Sequence, residues 1–427
     1  MNTKTSYIKT GSYEGQIGKV KKIVLLYSGG LDTSCMLKWL QDTYKADVIA
    51  LTVDLGQQGD DLVKVKKKAL KFGAKKAYVI DAKKEFANEY LTLGIKANAS
   101  YQGDYHLSTP IGRPLLAKLA VEIAEKEGAD AIAHGCTGKG NDQVRIEASA
   151  LVINPNIKIV APVREWDMDR DQEIEYARKN KIPVPASADF PYSVDDNMWG
   201  MTWEGGEIEN PKLIAPIERF LKTYTLPQHA PNREEIVSLY FKNGVPVKLN
   251  DKKLSLDKLI VKLNRIAGAH GIGIIHLVED RLFGVKNRGI YEMPAAHTII
   301  SAHKALEQYV STRVLNEIKE TMDTKWAYLC YGGLWLDPAM QAINSFNESV
   351  NKKVEGEVKI SLFKGLATIV SIASPYGLDY TSFTKSGGYD FNVNASAGFI
   401  ELYGLQMKLA QNKIREIQKS AKKAKQK

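Results

Sequence analysis

The chain has 427 residues, 44% of them hydrophobic and 25% charged, the balance of a soluble globular protein long enough for more than one domain. Its three cysteines, Cys35, Cys136 and Cys330, form no CxxC pair, which argues against a disulfide scaffold or a cysteine zinc site and fits a reducing cytoplasm. The net charge of +10 raises the question of nucleic acid, but much of it gathers at Lys413, Arg415, Lys419, Lys422, Lys423, Lys425 and Lys427, which reads as a solvated basic tail.

Residues 1–21 are a polar extension without the apolar core of a secretion signal, and no apolar run reaches the ~18 residues of a membrane helix. A soluble, unprocessed chain is expected. From Lys22, strands are predicted at Ile23–Tyr27, Asp47–Leu55, Ala77–Asp81, Ala129–Cys136 and Lys158–Val163, with helices near Leu62–Phe72, Leu115–Glu127, Asp142–Leu151 and Gln172–Asn180. This alternation predicts an α/β class, with a doubly wound parallel sheet over residues 22–185. After Pro183-Val184-Pro185 the pattern breaks, so a second, α+β domain is predicted over 186–396. Strands are expected there at Val245–Leu249 and Val354–Phe363, and helices at Leu256–Gly268 and Ala302–Asp323. Over 397–427, Ile400, Tyr403, Met407, Ile414 and Ile417 recur at helical spacing on a basic helix, a candidate oligomerisation arm.

Two segments carry chemistry. The first, Ser28-Gly29-Gly30-Leu31-Asp32-Thr33-Ser34, lies between an apolar strand and an apolar-periodic helix. Glycines let the backbone turn sharply and approach a ligand, hydroxyls add donors, and the helix dipole favours negative charge. The spacing matches neither a Walker A loop nor a dinucleotide GxGxxG. The second, His134-Gly135-Cys136-Thr137-Gly138-Lys139-Gly140-Asn141-Asp142-Gln143-Val144-Arg145, leaves a strand and enters a helix. Asn141 is placed as its N-cap, with Arg145 one turn on. Thr137, Asn141, Asp142 and Arg145 offer a hydroxyl, an amide, a carboxylate and a bidentate cation, a set suited to the charged ends of amino acids. Both segments fall at carboxyl ends of strands, where open α/β sheets bind ligands.

Together with the Gly56-Gln57 pair, these segments resemble the argininosuccinate synthase family of PP-loop ATP pyrophosphatases. Ser193–Asn197, Glu209-Asn210-Pro211, Gly268–Gly273, Val278–Arg281 and Arg288–Pro294 agree with it in order and spacing. The resemblance implies a ligase in arginine biosynthesis. Citrulline's ureido oxygen attacks the α-phosphate of ATP, pyrophosphate leaves, and the amine of aspartate then displaces AMP to give argininosuccinate. It implies ATP contacts from Leu26, Tyr27, Ser28, Gly29, Gly30, Leu31, Asp32, Thr33, Ser34, Val53 and Gly135, with Mg²⁺ linked to Asp32 through the phosphates. Citrulline falls to Tyr105, Thr109, Asn141, Arg145, Ser193, Thr202, Glu279 and Tyr291, and aspartate to Thr137, Asn141 and Asp142. Asp32 and Asp142 are the residues implied in catalysis, and a cytoplasmic homotetramer the assembly. The sequence departs from the family at Pro110, where many members carry a hydroxyl residue, and at Thr202, which replaces a serine. Two other readings stay open: another adenylating enzyme such as a tRNA thiolase, which needs an activated cysteine, and a non-catalytic binder of nucleotide or metabolites.

Overall fold

The computed structural model describes residues 11–59, 61–138, 140–166, 168–184, 191–379, 384–385, 388–389 and 392–425; the predicted domain boundary near 186 lies outside them. The first sheet contains β1 (Lys22–Leu26), β2 (Asp47–Asp54), β3 (Lys76–Asp81), β4 (Ala131–Ala133) and β5 (Lys158–Val160). Its order is β3-β2-β1-β4-β5 with every pair parallel. Side chains alternate between two cores: Val24, Ile49 and Leu51 pack on one face, while Ile23, Leu25, Val48 and Ala50 pack on the other. Apolar residues at both parities are what a sheet covered on both faces requires. The chain moves outward from β1 to β3 and then returns to β4 on the opposite side. The crevice between the ends of β1 and β4 is therefore the topological switch point.

Several elements differ from expectation. The helix predicted at Leu115–Glu127 spans Ser108–Glu127. Pro110 sits in its first turn, where a missing N–H costs nothing, and Pro114 follows inside, so prolines concealed two helical turns. The single helix expected at Ala302–Asp323 is two, Pro294–Val310 and Arg313–Tyr331, because Thr312 accepts a bond from the Leu315 N–H and starts a new helix. The strand predicted from Ala129 to Cys136 narrows to Ala131–Ala133.

The second region adds β6 (Ser193–Asn197), β7 (Gly200–Glu204), β8 (Glu235–Lys242), β9 (Val245–Leu249), β10 (Lys252–Lys253), β11 (Ile274–Asp280), β12 (Lys286–Glu292), β13 (Gly356–Phe363) and β14 (Leu366–Ala373). They form two antiparallel sheets, ordered β11-β12-β7-β6 and β10-β9-β8-β13-β14. The described residues up to Tyr376 form one compact unit, and those from Gly377 form another. The latter carries a helix, Ala395–Lys425, on which Ile400, Tyr403, Met407, Ile414 and Ile417 are all exposed. Among the described residues, no helix is long and apolar enough to cross a membrane.

Candidate active site

A cleft of about 540 Å³ lies at the switch point, walled by the loops after β1 and β4 and by the sheet β11-β12-β7-β6. A chamber of about 280 Å³ shares Leu26, Ser28, Thr33 and Arg113 with it and extends to Tyr27, Val53 and Gln57.

The loop after β1 is shaped for a close approach. Gly29 has φ of +81°, and a Cβ there would stand 2.9 Å from Val65 Cγ1. Its carbonyl accepts from Lys68 Nζ at 2.7 Å, which brings an ammonium against the loop. Gly30 precedes the Leu31–Tyr44 helix with no side-chain cap, so the first N–H groups are not claimed by a capping oxygen. Ser28 and Thr33 set their hydroxyls 3.1 Å apart on the cleft wall. Ser34 is fully buried, its hydroxyl donating to Gly30 O at 2.6 Å and lying 3.0 Å from the Tyr27 hydroxyl. Its side chain pins the loop. Asp32 is exposed and accepts from Arg170 Nη1 at 2.7 Å. The same nitrogen reaches Glu173 Oε2 at 3.0 Å, and burial together with Asp32 pushes the Glu173 carboxyl up to about 7. Among the described residues, no cluster of three or more His, Cys, Asp or Glu side chains could hold a metal by itself.

The loop after β4 places Gly135, Thr137, Asn141, Asp142 and Arg145 on the cleft. Asn141 occupies the N-cap position, but its side chain makes no capping bond. Instead its amide donates to the Tyr331 hydroxyl at 2.8 Å, and its Oδ1 accepts from Leu282 N at 3.1 Å. Arg145 spends Nε on the Tyr331 carbonyl at 2.9 Å and Nη1 on Asp142 Oδ1 at 2.7 Å. Its guanidinium lies over the Tyr331 ring at 4.7 Å, while Nη2 is buried without a partner. Asp142 gives its other oxygen to Arg113 Nη2 at 2.7 Å, and Arg113 also binds Asp195. Burial opposes the Asp142 charge, but the two guanidiniums prevail and hold its carboxyl well below the ordinary range.

The remaining predicted residues come from the antiparallel sheet, and strand periodicity explains why. Across the sheet Tyr291 pairs with Thr202, Thr202 with Asp195, and Glu204 with Ser193. Ile275 opposes Tyr291, so Glu279, four residues along β11, shares its face. Ser193, Asp195, Thr202, Glu204, Glu279 and Tyr291 therefore stand on one surface, and all line the cleft. The opposite face carries Met201, Trp203 and Ile290 into a separate apolar cluster. Gly289 makes room on the site face, where a Cβ would sit 2.4 Å from the Tyr291 hydroxyl. The Tyr105 ring stacks on Tyr291 at 4.1 Å, and Tyr105 Oη accepts from Thr109 N at 3.2 Å. Thr109 and Thr202 hydroxyls meet at 2.9 Å, so the Thr202 departure keeps its hydroxyl beside that of Thr109, the residue before Pro110. Glu279 is buried beside Glu204, its carboxyl raised by burial and by that neighbour, and its Oε2 has no partner. Arg281 Nη2 donates to Glu204 Oε2 at 2.7 Å.

Two matches to protein families follow this geometry. The model described as the Arginosuccinate synthase N-terminal HUP domain matches residues 22–183, and that of the Arginosuccinate synthase C-terminal domain matches 192–410. The chain belongs to the argininosuccinate synthase family. It is 50% identical to the argininosuccinate synthase of Oceanobacillus iheyensis over 388 residues, covering 90% of this chain and 92% of the relative. It is 48% identical to that of Pyrococcus furiosus over 394 residues, 92% and 95% of the two chains. Among solved structures, a U34-tRNA thiolase from Methanococcus maripaludis aligns over 39% of this chain and 58% of its own, with a TM-score of 0.27 and 18% identity. That likeness is too remote to bear on function.

The sequence reading missed Arg113, Asp195, Glu204, Arg281 and Tyr331, all lining the cleft of this family member. Arg281 and Asp195 lay inside segments already singled out, Val278–Arg281 and Ser193–Asn197. Tyr331 gave no local signal, because it ends a helix 186 residues from the arginine it holds.

Proposed function

We propose that this cleft ligates citrulline to aspartate, with ATP split into AMP and pyrophosphate through a citrullyl-adenylate. The observation that carries the reading is convergence: Arg145, Glu279 and Tyr291, each with a buried polar atom that has no protein partner (Nη2, Oε2 and Oη), line one cleft that also holds the anion loop. A free guanidinium nitrogen suits the carboxylate of citrulline, and the raised Glu279 carboxyl beside Glu204 suits its ammonium. The ureido carbon is a poor electrophile, so a leaving group must be installed first. Loop amides, Lys68 and the helix N-terminus would take the charge that builds at the β and γ phosphates. Mg²⁺ would be held by those phosphates with Asp32 as the loop carboxylate, neutralising the departing pyrophosphate. Asp32 already spends one oxygen on Arg170, which supports an ion bound chiefly through ATP. Thr137, Asn141 and Asp142 then present aspartate to the adenylate.

Two of the three cysteines favour this over thiolation. Burial pushes Cys35 and Cys330 up to about 12, so both stay thiols at neutral pH. Three free cysteines also support a reducing cytoplasm, and the exposed apolar residues of the Ala395–Lys425 helix support self-association, which in this family reading is a homotetramer. The deciding experiment measures pyrophosphate release with citrulline and aspartate, with tRNA, and with no acceptor. Release with citrulline and aspartate, giving AMP, is expected; citrulline-dependent ADP, or tRNA-dependent release, overturns the reading.

A further inference from the structure

The family match begins at residue 22, yet the segment before it reaches the scaffold of the site. Ile159 N donates to Gly11 O at 2.6 Å and Tyr13 N donates to Ile159 O at 2.9 Å, so the segment runs along β5 as an extra edge. The turn that follows is fastened where Gly15 N donates to the Tyr44 hydroxyl at 2.9 Å. This places the Glu14 carboxylate over Arg164: Oε1 accepts from Ala161 N and from Arg164 Nε, both at 3.0 Å, and also binds Arg164 Nη2.

Arg164 turns its remaining nitrogen toward the glycine loop. Nη1 donates to Gln143 Oε1 at 3.1 Å and to Glu147 Oε1 at 2.7 Å. Gln143 passes the contact on, its Nε2 donating to the carbonyls of Gly138 at 2.7 Å and Gly140 at 3.2 Å. Glu147 passes it on by the other arm, 3.0 Å from His134 Nε2, while Cys136 N donates to His134 Nδ1 at 3.3 Å. One guanidinium thus grips the loop at both ends, and one carboxylate grips the guanidinium. The loop has glycines at 135, 138 and 140, so little in its own backbone fixes its shape.

We propose that Glu14 is a positioning residue for the second half-reaction, fixing Arg164 so that the glycine loop keeps the shape that receives aspartate. It rests on the reading that Thr137, Asn141 and Asp142 hold aspartate. A loop that must be ordered on binding weakens its ligand without touching it. The first half-reaction draws mainly on the β1 loop and the sheet face, which Glu14 does not brace, and the citrulline residues at the end of the glycine loop, Asn141 and Arg145, are held separately by Tyr331 and Leu282.

The test is a double-mutant cycle of Glu14→Gln and Arg164→Gln, read as the KM for aspartate, as citrulline-dependent exchange of pyrophosphate into ATP, and as Tm. Glu14→Gln should raise the aspartate KM about fivefold or more and leave exchange within about twofold. Because both residues act through one contact, the double variant should be no worse than Arg164→Gln alone. Arg164→Lys should shift the aspartate KM in the same way, since one ammonium cannot span Glu14, Gln143 and Glu147 as the fork does. An unchanged aspartate KM in Glu14→Gln, or effects that add in the double variant, overturns the proposal, and a lowered Tm with normal KM assigns the segment to stability alone. The wild-type protein and Thr137→Ala separate the two levels. If the wild type does not ligate, or Thr137→Ala leaves aspartate use intact, the functional reading fails; if both behave and Glu14→Gln is silent, only the role of Glu14 fails.

Discussion

Arg145 and Asp142 are locked together on the first turn of one helix, Nη1 on Oδ1 at 2.7 Å, with Arg113 on the second oxygen of Asp142 at 2.7 Å. Asp142, which the resemblance assigns to aspartate, is thus also the counter-charge of two arginines. Asp142→Asn should therefore affect both half-reactions unequally. Arg145 keeps its bond to the Tyr331 carbonyl and its place over that ring, so pyrophosphate exchange should fall less than about tenfold, while kcat/KM for aspartate falls about 100-fold. Equal losses would place Asp142 in the scaffold only.

Arg145→Ala should cost about 2–4 kcal/mol in kcat/KM for citrulline, the scale of a charge-assisted contact to a bound carboxylate. Lysine should not rescue it. Nε and Nη1 are already committed to Tyr331 and Asp142, and only a planar fork has a further nitrogen to offer. Near-normal citrulline kinetics in Arg145→Ala would remove the residue from the site.

How far the sequence could be read tracks how local each signal was. The β1 loop and the β4 loop were legible because strand, glycines and helix start lie within a dozen residues. The face shared by Ser193, Thr202, Glu279 and Tyr291 was reached only by resemblance. Its pairing depends on which strands neighbour which, and β6 and β7 fall in a stretch too polar to read as strands. Arg113 was hidden by the prolines around it. That the Ser34 hydroxyl braces the turn was not legible, because its acceptor is the Gly30 carbonyl at 2.6 Å and backbone acceptors leave no mark in the sequence.

Tyr291→Phe separates binding from folding. The hydroxyl is buried without a protein partner, so its removal should leave Tm unchanged or slightly raised. If the substrate takes that hydroxyl, the citrulline KM should rise by the equivalent of about 1 kcal/mol, roughly fivefold. A fall in Tm with unaltered kinetics would show the hydroxyl serving the fold.

Glu173 gives a pH signature. Its carboxyl is raised to about 7 from an ordinary 4.5, by burial first and then by Asp32. The folded state therefore holds a proton that the unfolded state releases between those values, so this group withdraws stability as pH rises from about 4.5 through about 7. Glu173→Gln removes the titration. Its Tm relative to the wild type should improve between pH 5 and 8, and a difference that stays flat across that range would mean Glu173 ionises normally.

Removing the chain after Ala397 tests assembly. Ile400, Tyr403, Met407, Ile414 and Ile417 are all exposed on a helix otherwise rich in lysine, and apolar side chains repeated along a charged helix gain most by packing against another surface. If that surface belongs to a second copy of the chain, the full-length protein should be oligomeric by light scattering, and the truncated protein should run smaller than the missing mass explains. The Tm of the full-length assembly should also rise with protein concentration, and that of the truncated protein should not. A full-length chain that is monomeric at micromolar concentration, or a truncation that leaves the assembly intact, would remove the helix from the interface.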